Sequence, residues 1–544
     1  MEVLPLKIQE TKPEDQFAST CTGVVSGILN VLLVVLTAVF PLYYEDAYFN
    51  IIQAKYRFYY LSILSAAIIL FLVAAVMLFI DFKEFKGEHL KNIINRLRPA
   101  NWKDTFSFAD MAVLIYWLIC AISTLQSEYV YESFWGNEGR YSGLFLITLY
   151  VFFYFIVTRL WRPNKWVLQL FLLSGIVMCV IGITDYFQMD ILHFRVHIKP
   201  SQSAIFTSTL GNINTYTAYI ALLLGFAASM FARAEKLLPL LWYYVCLIIF
   251  FFAIIMGCSD NAYLALGILF AGLPFCLFRT KQGVFRYLVI ASSLVTVIQC
   301  IAWINQAYEA KVLGIDGLFN VLANIKGLPV IILILWGIVL AVYILWIPKK
   351  KACSEQEVFL NRKVVQGWFV FVAVCVAGLI VLLFDANVLG HGNRYGSLAT
   401  YLVFGDHWGT DRGYIWQKSI DMYRSFPILH KLFGFGPDTF GIMTTRKFKY
   451  EMIEVTGQIF DNAHNEYLQL LLTIGPIGLT AYVIFVLKSC GSMLKVSAKN
   501  PMILGCAFAI LCYFCQALVN LNLPIVAPMM WLMLSVGIAF TRYE

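Results

Sequence analysis

Apolar runs of about 20 residues recur along the whole of this 544-residue chain, separated by mostly short polar segments. A run of that length crosses the hydrocarbon core of a bilayer as an α-helix. The pattern predicts about fourteen transmembrane helices, near residues 22–43, 58–80, 108–126, 140–158, 166–185, 213–232, 237–257, 261–278, 286–304, 328–347, 364–386, 464–487, 501–519 and 525–541. The predicted fold is therefore an all-α polytopic membrane protein with one long loop, residues 387–463.

The long loop is predicted to contain structure of its own. Residues 410–425 have the spacing of an amphipathic helix, which Thr410 or Asp411 would cap. Its apolar face would contain Ile415, Trp416, Ile420 and Tyr423, with Arg412, Lys418 and Asp421 elsewhere. Such a helix could lie flat on the membrane with Trp416 at the interface. A structured loop among short connections is where function is expected.

Composition agrees with a membrane protein and excludes a soluble domain of this length. Hydrophobic residues make up 60% of the chain and charged residues 13%, and the mean hydropathy is +0.75. The basic residues that give the net charge of +8 lie mainly in alternate connections, which is a topology signal rather than a nucleic-acid footprint. That asymmetry predicts cytoplasmic termini and a 387–463 loop on the outer side of the membrane.

The most informative polar segment runs from Asn462 to Leu471, where the long loop enters an apolar helix. It contains His464, whose imidazole titrates near neutral pH and could act as a general base. A helix-capping histidine at the headgroup level is an equally simple interpretation. Asn465 and Glu466 follow directly, and titratable groups at this depth are costly unless they have a function.

Several short motifs occur in a fixed order along the chain. They are Gly139-Arg140-Tyr141-Ser142-Gly143-Leu144, then Gly211-Asn212-Ile213-Asn214, then Arg412 with Trp416, then Gly434-Phe435-Gly436-Pro437, then Ala463-His464-Asn465-Glu466-Tyr467-Leu468 and Gly475-Pro476-Ile477-Gly478-Leu479. In this order the chain resembles the O-antigen ligase and O-antigen polymerase family over residues 135–487. These are bacterial integral-membrane glycosyltransferases. Ile213 stands where a proline is common in that family, and Asp260 follows Ser259 where an arginine is frequent.

The resemblance implies a GT-C-like architecture and transfer of a glycan from an undecaprenyl-diphosphate-linked donor. The acceptor would be a glycan, lipid or cell-wall hydroxyl or amine on the outer face of the membrane. It implies His464 and Arg412 as catalytic residues, and the substrate-binding residues would be Arg140, Asn212, Asn214, Asn465 and Glu466. Arginine suits a diphosphate because its planar fork pairs with two oxygens. No cofactor, no metal and no nucleic-acid partner is implied, and membrane lipids surround the protein.

The residues taken singly leave simpler interpretations open. Arg140 could be an interfacial anchor, and Asn212 with Asn214 could only cap a helix. The loop histidines lack ligand spacing and the outer loops lack an Asp-x-Asp pair, so a metal site is disfavoured. A polysaccharide-lipid flippase is the alternative function, although two related halves are not evident. The resemblance divides the chain into N-terminal helices (1–134), a ligase-like core (135–487) and C-terminal helices (488–544).

Overall fold

The computed structural model describes residues 13–196, 198–346 and 362–544, and the all-α membrane fold is confirmed there. The α-helices are α1 (Pro13–Val34), α2 (Ile51–Phe85), α3 (Glu88–Leu97), α4 (Trp102–Thr105), α5 (Phe108–Leu125), α6 (Val130–Trp135), α7 (Leu144–Leu160), α8 (Trp166–Tyr186), α9 (Pro200–Ser203), α10 (Ile213–Arg233), α11 (Leu237–Met256), α12 (Asn261–Leu277), α13 (Lys281–Ala307), α14 (Gly317–Ala323), α15 (Leu328–Trp346), α16 (Arg362–Asn387), α17 (Ala399–Leu402), α18 (Trp408–Arg424), α19 (Ile428–Phe433), α20 (Phe440–Thr456), α21 (Glu466–Val496), α22 (Pro501–Gln516) and α23 (Ala527–Thr541).

Short non-α elements complete the chain. A π-helical turn at Val35–Val39 and a 3₁₀ turn at Phe40–Leu42 extend α1, and further 3₁₀ turns lie at Pro99–Asn101, Glu309–Lys311, Gly392–Leu398 and Ala517–Val519. Two strands, β1 (Phe206–Thr207) and β2 (Gly211–Asn212), form an antiparallel hairpin that pairs Phe206 with Asn212. Gly211 has φ +82°, a conformation that favours glycine, and the hairpin leads directly into α10.

Among the described residues, eleven helices are long and apolar enough to cross a membrane. Three shorter apolar helices, α7, α12 and α23, coincide with the remaining predicted spans. At 1.5 Å per residue the shortest of the three reaches roughly 23 Å, less than the typical hydrocarbon thickness. The predicted positions of the apolar segments therefore agree with the helices, while eleven rather than fourteen meet the length of a full span.

Helix α10 is the centre of the bundle. All of its apolar window is buried, and it packs against α8, α11, α12 and α22. A Cβ at Gly225 would lie 2.4 Å from the Phe508 carbonyl oxygen, so glycine permits the close approach of α10 and α22. By contrast, the apolar windows of α15 and α16 are 11% and 0% buried, which places these helices at the lipid-facing periphery.

The predicted helix in the long loop exists, but its cap and its buried face differ from the prediction. Gly409, Thr410 and Asp411 have left-handed backbone angles, so regular helix begins at Arg412, and no side chain caps it. The buried positions are Arg412, Tyr414, Ile415, Ser419 and Met422, whereas Ile420 is 45% exposed. Ile415, Trp416 and Tyr423 pack as predicted against a small separate core with α20 and residues 460–472, so the prediction was wrong only for Ile420 and Arg412. Tertiary contacts, rather than a ranking of faces by hydrophobicity, decide which positions of this helix are buried.

Helix α21 is interrupted where the long loop packs against the bundle. Gly475 has φ +69° and ψ 175°, and a Cβ there would lie 2.1 Å from the Leu432 carbonyl oxygen. The turn after α19 is bound to this break, because Phe435 N and Gly436 N donate to the carbonyls of Leu472 (3.1 Å) and Thr473 (2.9 Å). The break therefore fixes the position of the loop on the membrane core.

Candidate functional site

A cavity of about 450 Å³ lies at the end of the bundle where α2, α10 and α21 begin. Its walls come from five separate parts of the chain: residues 48–53, 138–141, 206–215, His464 and 521–525. Most of these connections are predicted to lie on the outer side of the membrane, and they meet at one end of the bundle. The cavity brings together Arg140, Asn212, Asn214 and His464, although Arg140 and His464 are 324 positions apart in the sequence.

His464 is held in a strained turn at the cavity wall. Its φ is +49°, in the left-handed region that is uncommon for a residue other than glycine. The turn is closed by the Asn462 side chain, whose Oδ1 accepts from His464 N at 2.8 Å. Trp416 Nε1 donates to the Ala463 carbonyl at 2.9 Å, which fixes the preceding residue against α18. The Nδ1 atom of His464 is buried and has no hydrogen-bond partner among the described residues.

The imidazole of His464 is neutral over the physiological range. Burial, followed by the positive charges of Arg412 and Arg140, lowers the pKa of His464 to about 3, and Asp461 opposes the shift. An unperturbed histidine would have a pKa near 6.5. The neutral form required of a base is therefore present, and protonation near pH 6.5 is not expected in the free protein.

Arg140 and Arg412 are in different electrostatic environments. Arg140 pairs with Asp461 through two hydrogen bonds, Nε to Oδ2 at 2.9 Å and Nη2 to Oδ1 at 2.6 Å. The Arg412 residue is only 9% exposed, and its guanidinium has neither a hydrogen bond nor an ion pair within the described ranges. Burial lowers the pKa of Arg412, and the charge of Asp260 opposes this. A buried cation without a direct hydrogen-bond or ion-pair partner is costly, and a bound anion would offset that cost.

Asn212 and Asn214 have structural contacts as well as positions on the cavity wall. Asn212 caps α10, since its Oδ1 accepts from Asn214 N at 2.8 Å. The Asn214 side chain accepts from Ser259 Oγ at 2.6 Å, and its carbonyl accepts from the side chains of Asn261 and Asn520, both at 2.9 Å. The capping interpretation therefore holds for Asn212, and a polar network supports the floor of the cavity beneath Asn214.

Asn465 and Glu466 do not line the larger cavity. Asn465 caps α21 by accepting from Leu468 N at 3.0 Å. Glu466 is 2% exposed, and its Oε1 accepts from Tyr482 Oη (2.7 Å) and Asn522 Nδ2 (2.9 Å), while Oε2 has no partner. Glu466 faces a smaller void of about 60 Å³ that Arg140 also lines. Of the two residues, neither contacts the space in front of His464.

Two acidic residues that the sequence did not single out organise the site. Asp461 pairs with Arg140, and Asp438 accepts from the backbone N atoms of Asn137 (2.7 Å) and Ser142 (2.9 Å). Burial raises the pKa of Asp438 to about 7, although both backbone donors and Arg140 act in the opposite direction. In the sequence these residues contribute only to the charge balance of the loop. Their pairing with residues about 300 positions earlier has no local signal.

The sequence analysis did not predict that residues 48–53 and 521–525 line the site, because they lie outside the segment that carries the motifs. Tyr48 stacks on Phe206 with ring centroids 5.2 Å apart, so the first outer connection closes one side of the cavity. The opposite end of the bundle contains a buried ionic cluster, in which Asp110 pairs with Arg159 and Arg542 at 2.6 and 3.5 Å.

Comparison with known protein families gives one match: residues 317–483 match a family model described as O-antigen ligase. Among curated proteins none matches this chain. The matched range contains Arg412, Asp438, Asp461 and His464. Of the cavity residues, only His464 lies in this range; Arg140, Asn212 and Asn214 precede it, and residues 521–525 follow it.

Proposed function

We propose that this chain, whose residues 317–483 match the O-antigen ligase family, transfers a glycan from undecaprenyl diphosphate to an acceptor hydroxyl or amine on the outer face of the membrane. Such membrane proteins act as ligases or polymerases of surface polysaccharides. The observation that carries the finer proposal is the position of the neutral His464 on the cavity wall, where the positive charges of Arg412 and Arg140 act on it.

The proposed step uses His464 as general base. Its Nε2 takes the proton of the acceptor while the acceptor oxygen or nitrogen bonds to the anomeric carbon. The bond from that carbon to the diphosphate oxygen breaks, and lipid diphosphate leaves. Arg412 would bind the diphosphate. Arg140 would also bind it if its guanidinium donated to the diphosphate and to Asp461 at the same time. Asn212 and Asn214 would contact the substrate from the floor.

The charge of the donor would activate the base. In the free protein two cations depress the pKa of His464. A diphosphate seated between them would cancel much of their field, and the imidazole would become more basic when the donor is bound. Binding of the donor would therefore make His464 a stronger base. Without the donor, His464 would stay a weak base.

The experiment that tests this function uses purified protein with an undecaprenyl-diphosphate glycan and measures the release of lipid diphosphate. Wild type should release it, and His464→Ala should be slower by about 100- to 10,000-fold. Thermal unfolding of His464→Ala should match that of wild type, so that a slower rate is not caused by loss of structure. A wild-type rate in His464→Ala would place the base elsewhere. A protein that moves intact donor across vesicles without cleaving it would be a flippase.

A further inference from the structure

A second, larger groove adjoins the reaction cavity. Its volume is about 800 Å³, within the range of roughly 300–1,000 Å³ that is usual for ligand pockets. One wall is the outer end of α2 and the other is the segment 131–145. Glu138 and Tyr141 line both spaces, so the groove borders the cavity that contains His464.

Aromatic rings form much of the groove surface. Tyr56 and Tyr141 stack with centroids 4.9 Å apart and an interplanar angle of 13°. Tyr131 and Trp135 are 71% and 43% exposed, which leaves ring surface available to a ligand. The C–H face of a sugar ring packs well on an aromatic face, while its hydroxyl groups need hydrogen-bond partners nearby.

Polar side chains supply such partners. Glu132, Asn137 and Glu138 line the groove, and their side chains form no hydrogen bond or ion pair with any described residue. No lysine, arginine or histidine is among the lining residues. Carboxylates bind hydroxyl groups and ammonium groups, and they repel uronic acids and phosphates. The groove therefore favours an uncharged or amine-bearing saccharide.

The groove wall is fixed relative to the reacting groups. Asp438 accepts from Asn137 N and Ser142 N at its two flanks, and Arg140 between them pairs with Asp461, three residues before His464. A sugar held against the 131–141 wall would thus have a defined distance from the base. Positioning of this kind contributes to rate because the reactants need not search for their geometry.

We propose that the aromatic groove between α2 and residues 131–145 binds an uncharged or amine-bearing saccharide segment of the substrate and leads its reacting end to His464. This assignment rests on the proposed glycan transfer. The competing interpretation is that Tyr131 and Trp135 belong to an interfacial aromatic belt that contacts lipid headgroups. In the first interpretation a saccharide contacts these rings in the cell, and in the second lipid headgroups contact them.

The first experiment is photocrosslinking in living cells with the full chain and its own substrates. Tyr131→p-benzoylphenylalanine should give adducts that carry glycan, detected by sugar radiolabel and by mass spectrometry. Tyr450→p-benzoylphenylalanine is the matched control, because Tyr450 is 86% exposed in the long loop and lies outside the groove. Adducts at position 131 that contain only phospholipid would overturn the proposal.

The second experiment measures kinetics of the double variant Tyr131→Ala/Trp135→Ala. The KM for a donor with a long glycan should rise about tenfold, with kcat changed less than about twofold. A donor carrying a single sugar should be unaffected, since it cannot reach the groove. Tyr450→Ala should match wild type. An unchanged KM for the long donor contradicts the assignment.

The two proposals fail separately. Glycan adducts at position 131 in a protein that never releases lipid diphosphate would support the proposal that the groove binds saccharide and contradict the proposed transfer reaction. Normal transfer by wild type with no glycan adduct and no change in KM would reject the groove alone.

Discussion

At the scale of single residues, the two arginines near His464 separate into one that is paired and one that is not. Asp461 already satisfies Arg140 in two hydrogen bonds, while the buried guanidinium of Arg412 has no such partner in the described chain. A buried cation without a partner lowers stability, and proteins retain such groups where an anion binds. Arg412 is thus the stronger of the two predictions for the diphosphate contact.

Replacement of Arg412 should separate activity from stability. Arg412→Lys keeps the charge but loses the bidentate fork, so the rate should fall about 100-fold. Arg412→Met should be at least as inactive, yet it should melt no lower than wild type because an unpaired buried charge is removed. Donor turnover and thermal unfolding in detergent measure the two effects. Arg424→Lys, on the same helix with a 76% exposed side chain, is the control. Full activity in Arg412→Met would exclude the residue from the mechanism.

The pH dependence of the reaction should show how the charge of the bound donor changes the pKa of His464. The value of kcat/KM reflects the free protein, where the pKa of His464 is about 3, so His464 should cause no loss between pH 8 and pH 5. The value of kcat reflects the donor complex, in which the pKa should be higher. Because a base works in its neutral form, kcat should therefore fall at a higher pH than kcat/KM as acid is added.

A control is needed for Asp438, whose pKa is about 7. The profiles should be measured in Asp438→Asn as well, which keeps an oxygen acceptor for Asn137 N and Ser142 N. An acid limb that disappears in Asp438→Asn belongs to Asp438. A limb in kcat/KM near pH 6.5 that persists in this variant would contradict the depressed pKa of His464.

At the scale of elements, the break in α21 connects the outer segment to the membrane bundle. The left-handed backbone of Gly475 and the closeness of the Leu432 carbonyl leave no room for a side chain. The same turn receives hydrogen bonds from residues 435–436 and from Ser123 Oγ, which donates to the Thr473 carbonyl at 2.7 Å. His464 lies eleven residues before Gly475, so its position depends on this junction.

Gly475→Ala should therefore destabilise the protein by about 1–3 kcal/mol and reduce activity. The strain of a positive φ and the contact with the Leu432 carbonyl both contribute. Gly491→Ala, in the same helix with no heavy atom within 4 Å of the added Cβ, should be neutral or slightly stabilising. Thermal unfolding and donor turnover of the purified variants give the comparison. Equal stability of the two variants would show that the junction tolerates a side chain.

At the scale of the whole molecule, the cavity faces one end of the bundle, and its orientation in the membrane stays a prediction. The distribution of basic residues predicts that this end is outside. In a cysteine-free background, Ser397→Cys and Tyr450→Cys should react with a membrane-impermeant maleimide in intact cells, because both positions are exposed in the long loop. Glu84→Cys, in a connection predicted to be cytoplasmic, should react only after lysis. The reverse pattern would place the cavity on the cytoplasmic side.

The three-part division of the chain also stays a prediction, and packing shows how closely the parts cooperate. Helix α5 of the first part packs along α21, and α22 and α23 of the last part pack against α10 and α7. Residues 48–53 and 521–525 close the cavity from outside the motif-bearing range. Because all three parts contribute residues to the site, its lining cannot be predicted from the motif-bearing part alone.

The sequence by itself determined the apolar membrane helices, the all-α class and the presence of a structured loop, while the functional role of the 462–471 junction stays a prediction. These features follow from local properties, since hydrophobic length and turn chemistry act over one helix or less. Only the tertiary structure decided which face of α18 is buried, that Arg412 is unpaired, and that Asp438 and Asp461 secure the 137–142 segment. Those outcomes depend on contacts between residues hundreds of positions apart, where burial and charge at each residue are set by neighbours that the local pattern does not specify.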